Sequence, residues 1–109
     1  MQNKDFILSK KSVSEKVFKA PPLSLTATSG DTIGEIDLAW EPVSGAFSYI
    51  IQKSSGHTRP SRWILEDIVA KSSYTVSKLK SRHYYWFRVA AVKSKEQGPW
   101  SKAVLKRAP

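Results

Sequence analysis

The chain has 109 residues, with 18 Lys and Arg against 9 Asp and Glu for a formal charge of +9, and 40% hydrophobic residues at a mean hydropathy of −0.37. That is enough for one domain with a modest core. No apolar stretch approaches the roughly 18 residues of a spanning helix, so no membrane insertion is expected. Cysteine is absent, which excludes disulfides, thiolate metal sites and cysteine nucleophiles together.

The charge is uneven along the chain. Residues 1 to 20 carry five Lys against Asp5 and Glu15, and residues 93 to 109 carry Lys93, Lys95, Lys102, Lys106 and Arg107 against Glu96. The stretch between them is nearly balanced. Basic ends either keep a small domain soluble or attract a polyanion. Near the start, Phe6-Ile7-Leu8 is a run of three apolar residues, far short of a signal h-region of about 7 to 15. No secretory signal is visible, and the compartment stays unknown. Residues 1 to 20 lack steady alternation and allow at most a short helical turn at the capping box Ser12-Val13-Ser14-Glu15. They read as a basic, flexible leader, with Ala20-Pro21-Pro22 opening a domain at 21 to 109.

From Leu23 the pattern has period two, the mark of half-buried strands. Leu23, Leu25 and Ala27 give strand A, ended by Ser29-Gly30-Asp31, and Ile36, Leu38 and Trp40 give strand B, ended by Pro42 and Gly45. Tyr49 and Ile51 make strand C, which leads into a Gly, His, Pro and Ser-rich connection from 54 to 61. Trp63-Ile64-Leu65 is a weaker strand. Tyr74 and Val76 form the next, with Leu79 after it, and Tyr85, Phe87, Val89 and Ala91 alternate in a long one. A last strand is expected from about 100 to 106, with Ala103 and Leu105 inward. Seven short strands in about 90 residues predict an all-β fold, a seven-stranded antiparallel immunoglobulin-like β-sandwich.

These residues resemble the fibronectin type III domain over 21 to 109. The resemblance rests on Pro22, Ile36-x-Leu38-x-Trp40-x-Pro42, Tyr49-x-Ile51 and Tyr74-x-Val76-x-x-Leu79, followed by Tyr85-x-Phe87-Arg88-Val89-x-Ala91-Val92 and Gly98-Pro99-Trp100-Ser101. The chain looks particularly similar to bacterial and phage-associated members, and Ala108-Pro109 resembles an inter-domain junction. The family's fold, so implied, sets strands A, B and E against C, C′, F and G. It makes Trp40, Tyr49, Leu79, Tyr85 and Phe87 the structural core, with Tyr85 resembling a tyrosine corner whose hydroxyl bonds the turn before strand F. Gly98-Pro99-Trp100-Ser101 also resembles the second half of the cytokine-receptor Trp-Ser-x-Trp-Ser motif, but Gln97 stands where the first Trp would be.

If strand F alternates from Tyr85, then Trp86 and Arg88 face outward and Trp100 can lie against the Arg88 guanidinium. Ile50, Gln52, Trp86, Arg88, Trp100 and Lys102 therefore form one candidate binding surface, unless the aromatic residues only stack to shield the sheet. Phe47, Lys93 and Lys95 form a candidate loop site. In the implied topology His57, His83 and Asp31 share a pole, but no spacing signature supports a metal there. Glu66-Asp67 reads as a solvated corner in a loop. No nucleophile elbow, phosphate-cradling glycine loop or paired carboxylates occur, so no enzyme activity and no cofactor are expected. The expected function is a non-catalytic interaction or spacer module making protein or glycan contacts, as a monomer. The alternative is an electrostatic binder of nucleic acid or another polyanion through the basic ends, with Trp86, Arg88, Trp100 and Lys102 as a stacking platform.

Overall fold

In the computed structural model, which describes residues 20–109, eight strands form two antiparallel sheets. Of the leader read from residues 1 to 20, all but Ala20 lies outside the described residues. One sheet orders β1 (Thr26–Ser29), β2 (Ile36–Ala39) and β5 (Ser73–Val76) with β2 in the middle. The other runs β4 (Ile64–Val69), β3 (Ser48–Ser55), β6 (Tyr84–Lys93) and β7 (Glu96–Trp100), and β8 (Val104–Arg107) also pairs with β6. This is the all-β sandwich that the alternation predicts, with the last strand divided in two.

Period-two burial explains the layering. Ile36 and Leu38 from β2, Val76 from β5, Tyr49 and Ile51 from β3, and Phe87, Val89 and Ala91 from β6 all point between the sheets and are buried. Each such large side chain stabilises the fold by about 1.5–3 kcal/mol relative to exposure. Trp40, just past β2, is 5% exposed and meets Tyr49 of the opposite sheet edge to face, with ring centroids 5.4 Å apart. One residue therefore ties the two layers together.

Two tyrosine hydroxyls fasten the ends. The Lys80 N–H donates to Tyr85 Oη at 2.9 Å, and the Val43 N–H donates to Tyr49 Oη at 2.8 Å. The first is the expected corner before strand F, and the second fixes the β2–β3 turn in the same way at the other end. Between β1 and β2, Gly34 adopts a φ of +83° with the Leu79 carbonyl oxygen 2.7 Å from where a Cβ would lie. Only glycine fits there, because both the dihedral and the space exclude a side chain.

Four sequence expectations are corrected. Strand A starts later: Ser24 has a φ of +57°, which breaks the alternation and leaves Leu23 58% exposed, while Leu25 and Ala27 reach the core. The expected C′ strand extends to Val69, and its first member, Trp63, precedes it. The last strand faces the other way from 104 onward: Ala103 and Leu105 are exposed, and Val104 and Ala108 pack on the core. The reason is a one-residue bulge. Trp100 pairs with Ala90 and Ser101 bonds Val89, but Phe87 pairs with Val104 instead of Ala103. One inserted residue exchanges the two faces. Finally, Glu66 and Asp67 lie on β4 and not in a loop. Glu66 accepts a hydrogen bond from Tyr74 Oη at 2.9 Å and pairs with Lys53 Nζ at 2.9 Å, joining the open edges of the two sheets.

Candidate functional site: the outer face of the five-stranded sheet

The outward residues of this sheet fall into two rows across the strands. Ile68, Ile50, Ala90 and Trp100 are successive cross-strand partners in one row, and Leu65, Gln52 and Arg88 are partners in the next. Arg88 is the centre of the face. Its Nε and Nη2 both donate to Gln52 Oε1, at 2.9 and 2.7 Å, which fixes the guanidinium plane. Its guanidinium carbon lies 4.2 Å from the Trp100 ring centroid and 4.3 Å from that of Trp63, so the cation is held by two indoles. Burial lowers the Arg88 pKa from its ordinary value, but guanidinium remains charged at any physiological pH. The cost of desolvating it is offset by the two rings and the amide oxygen.

Ile50, Gln52, Trp86, Arg88 and Trp100 are thus brought together on one surface, all of them partly buried. Lys102 lies in the link between β7 and β8 and is exposed. The Trp86 indole N–H is buried with no partner among the described residues. Sequence reasoning missed Trp63, since it precedes its strand and no periodicity assigns it to a face. It also missed the flank formed by β4, where Ile64, Leu65 and Ile68 are 47, 58 and 54% exposed. Leu65 and Ile68 are on the outer face and Ile64 on the opposite one. Exposed apolar side chains are unusual on an edge strand, and among the described residues β4 is the last strand of its sheet.

The loop candidate is more dispersed. Phe47 is 69% exposed, and its N–H donates to the Val92 carbonyl at 2.8 Å. The Lys93 side chain runs 3.7 Å from the Cβ direction of Gly45, and Lys95 is exposed in the β6–β7 turn. At the opposite end the expected histidine pole assembles without metal geometry. His57 stacks flat on Tyr84 with centroids 4.0 Å apart, and His83 Nδ1 lies 3.1 Å from the Ser81 carbonyl oxygen. Among the described residues no group of three His, Asp or Glu is arranged to hold a metal ion. No helix there is long and apolar enough to cross a membrane.

Two antiparallel sheets, a tyrosine corner and an outward arginine stacked on tryptophans define an immunoglobulin-like sandwich module. The fibronectin type III domain profile matches residues 20–107, and the chain belongs to that family. It is 37% identical over 95 residues to the interleukin-6 receptor subunit beta of Rattus norvegicus, which covers 80% of this chain and 10% of that protein. The chain thus spans about a tenth of the length of the curated relative that it matches. Among solved structures, an Fn3-like protein from Clostridium thermocellum superposes with a TM-score of 0.71 at 21% identity, covering 81% of this chain and 91% of that one. The FN1–FN3 domains of chicken CNTN1 superpose with a TM-score of 0.70 at 20% identity, covering 82% and 31%. The FN5 domain of Drosophila Lar gives 0.66 at 24% identity, covering 84% and 97%.

Proposed function

We propose that this fibronectin type III domain is a non-catalytic protein-interaction module that engages its partner along β4 and the adjoining outer face. The observation that carries the reading is the exposed apolar pair Leu65 and Ile68 on the outer face of a strand whose outer edge pairs with no other strand among the described residues. The fitting partner is an extended segment of another protein, added as one more strand beside β4. Its main chain would satisfy the free edge, its alternate apolar side chains would cover Leu65 and Ile68, and a basic side chain would meet exposed Asp67. A glycan is a poorer fit. Sugars need open aromatic faces, and both Trp63 and Trp100 have a ring face covered by Arg88. Within this reading the tryptophan and arginine ladder keeps the surface rigid, and the β4 flank makes the contact.

Peptides selected from a random library against the domain test the proposal. The expected winners are extended and apolar, and they shift the backbone amide resonances of residues 64 to 69. Winners that instead perturb the Phe47, Lys93 and Lys95 end, or that do not converge, contradict it. The inert-spacer reading expects the latter.

A further inference from the structure

The fold gathers charge that the sequence scatters. Residues 21 to 109 hold thirteen Lys and Arg against seven Asp and Glu. Seven of those cations sit at one end of the sandwich. The β3–β4 loop brings Arg59 and Arg62, the loop before β6 brings Lys78, Lys80 and Arg82, and β8 ends in Lys106 and Arg107. Only Asp31 and Glu35, in the β1–β2 loop, oppose them there. This single pole therefore accounts for five of the six net positive charges of the domain.

Main-chain bonds hold these loops together. The Gly56 N–H donates to the Tyr84 carbonyl, Ala108 to His83, and Arg82 to Ala108. Arg107 is the cross-strand partner of Tyr84, and its Nε donates to the Arg82 carbonyl at 3.4 Å. The Arg59 carbonyl oxygen lies 2.5 Å from the Cβ direction of Gly56, so the turn from 56 to 59 closes tightly on itself. Lys78 and Arg82 have φ angles of +62° and +67°, a conformation uncommon for residues with side chains. All seven cations except Lys106 are exposed, and none is in an ion pair among the described residues. On the β3–β4 loop between Gly56 and Arg59, the exposed His57 ring lies nearly parallel to Tyr84, at 15°.

We propose that this pole binds single-stranded nucleic acid, with Arg59, Arg82 and Arg107 on the phosphates and one base laid on His57. Guanidinium forks match phosphate oxygens in pairs. A flat ring among them offers the sequence-tolerant stacking that single strands use. The stacked pair is what favours nucleic acid over a sulfated glycan, which would use the cations but gain little from the ring. Double-stranded DNA is disfavoured because its bases are already stacked.

Fluorescence anisotropy with labelled oligodeoxythymidine and oligouridine of about ten nucleotides, on residues 1 to 109, provides the test. Binding is expected in the micromolar range at low salt, with log affinity falling against log salt at a slope of about −2 to −3, as three or four neutralised phosphates require. Arg82→Gln with Arg107→Gln should weaken it about tenfold, and His57→Ala about fivefold or more, whereas His57→Phe should retain it. Lys93→Gln with Lys95→Gln, at the other end, should change it less than about twofold, and circular dichroism should report an unchanged fold for each variant. The proposal is overturned by no binding at low salt, by equal losses from the two pairs of cation variants, or by a His57→Ala variant that binds as tightly as the parent. It is also overturned if a sulfated heparin-like oligosaccharide binds more tightly than either oligonucleotide.

Discussion

The guanidinium carbon of Arg88 lies 4.3 Å from the ring centroid of Trp63, a residue that precedes β4 and belongs to no strand. The contact couples the β3–β4 loop to the middle of β6 across the outer face. Trp63→Ala should cost about 1–2 kcal/mol, and a double-mutant cycle with Arg88→Ala should return a coupling of about 0.5–2 kcal/mol, the range for a partly desolvated cation–π pair. Urea unfolding of the four proteins measures both. A coupling of zero would mean that the ring and the guanidinium are neighbours without mutual stabilisation.

The bulge between Ser101 and Val104 makes an equally direct prediction. Val104→Ala, which opens space beside the core, should cost about 1–2 kcal/mol, while Leu105→Ala, at 36% exposure, should cost less than about 1 kcal/mol. Denaturant midpoints of the two variants give the ranking. The reverse order would restore the inward Ala103 and Leu105 that alternation alone suggests.

That bulge marks where the sequence stops being legible. Alternation through Ile36, Leu38 and Trp40, and through Tyr85, Phe87, Val89 and Ala91, specifies the sheets because a one-residue slip there would expose a whole apolar row. Between Ser101 and Val104 nothing in the residue types announces the inserted residue. The local anchor is the Ser101 hydroxyl, which accepts from the Val89 N–H at 3.0 Å, and that is a tertiary bond. The candidate surface is legible only in part for the same reason. Gln52, Arg88 and Trp100 follow from strand alternation, but Trp63 reaches them from a loop, and the exposure of Leu65 and Ile68 follows from β4 being a sheet edge.

The end fastenings predict a graded response. Trp40→Ala, emptying a large site between the sheets, should cost roughly 3–5 kcal/mol. Tyr85→Phe and Tyr49→Phe should each cost about 1–3 kcal/mol, because each strips a backbone N–H of its acceptor. Guanidinium titrations check the order. If Tyr85→Phe proves more harmful than Trp40→Ala, the corner rather than the core governs the fold.

Alkaline pH probes Tyr74, whose hydroxyl bonds Glu66 between the two sheet edges. Burial, and then the hydrogen bond to Glu66, raise the Tyr74 pKa above its ordinary value. The folded state therefore keeps this proton while unfolded tyrosine, at about 10, releases it. Stability from Tyr74 is present in full below pH 10 and declines as pH rises beyond it. Unfolding free energies between about pH 8 and 11.5 should fall less steeply in Tyr74→Phe than in the parent. Parallel profiles would mean that burial and Glu66 together do not hold the Tyr74 proton beyond its ordinary range.

The role assigned to the outer face rests on separating contact from scaffold. With a peptide selected as above, affinity and unfolding free energy should be measured together for Leu65→Lys and for Trp100→Ala. Leu65→Lys is expected to leave stability within about 0.5 kcal/mol, as exposed substitutions do, and to weaken binding at least tenfold. Trp100→Ala is expected to lower stability by about 1–3 kcal/mol through loss of the ring over Arg88, with a smaller loss of affinity. If Leu65→Lys binds the peptide as tightly as the parent, the β4 flank is not the docking surface.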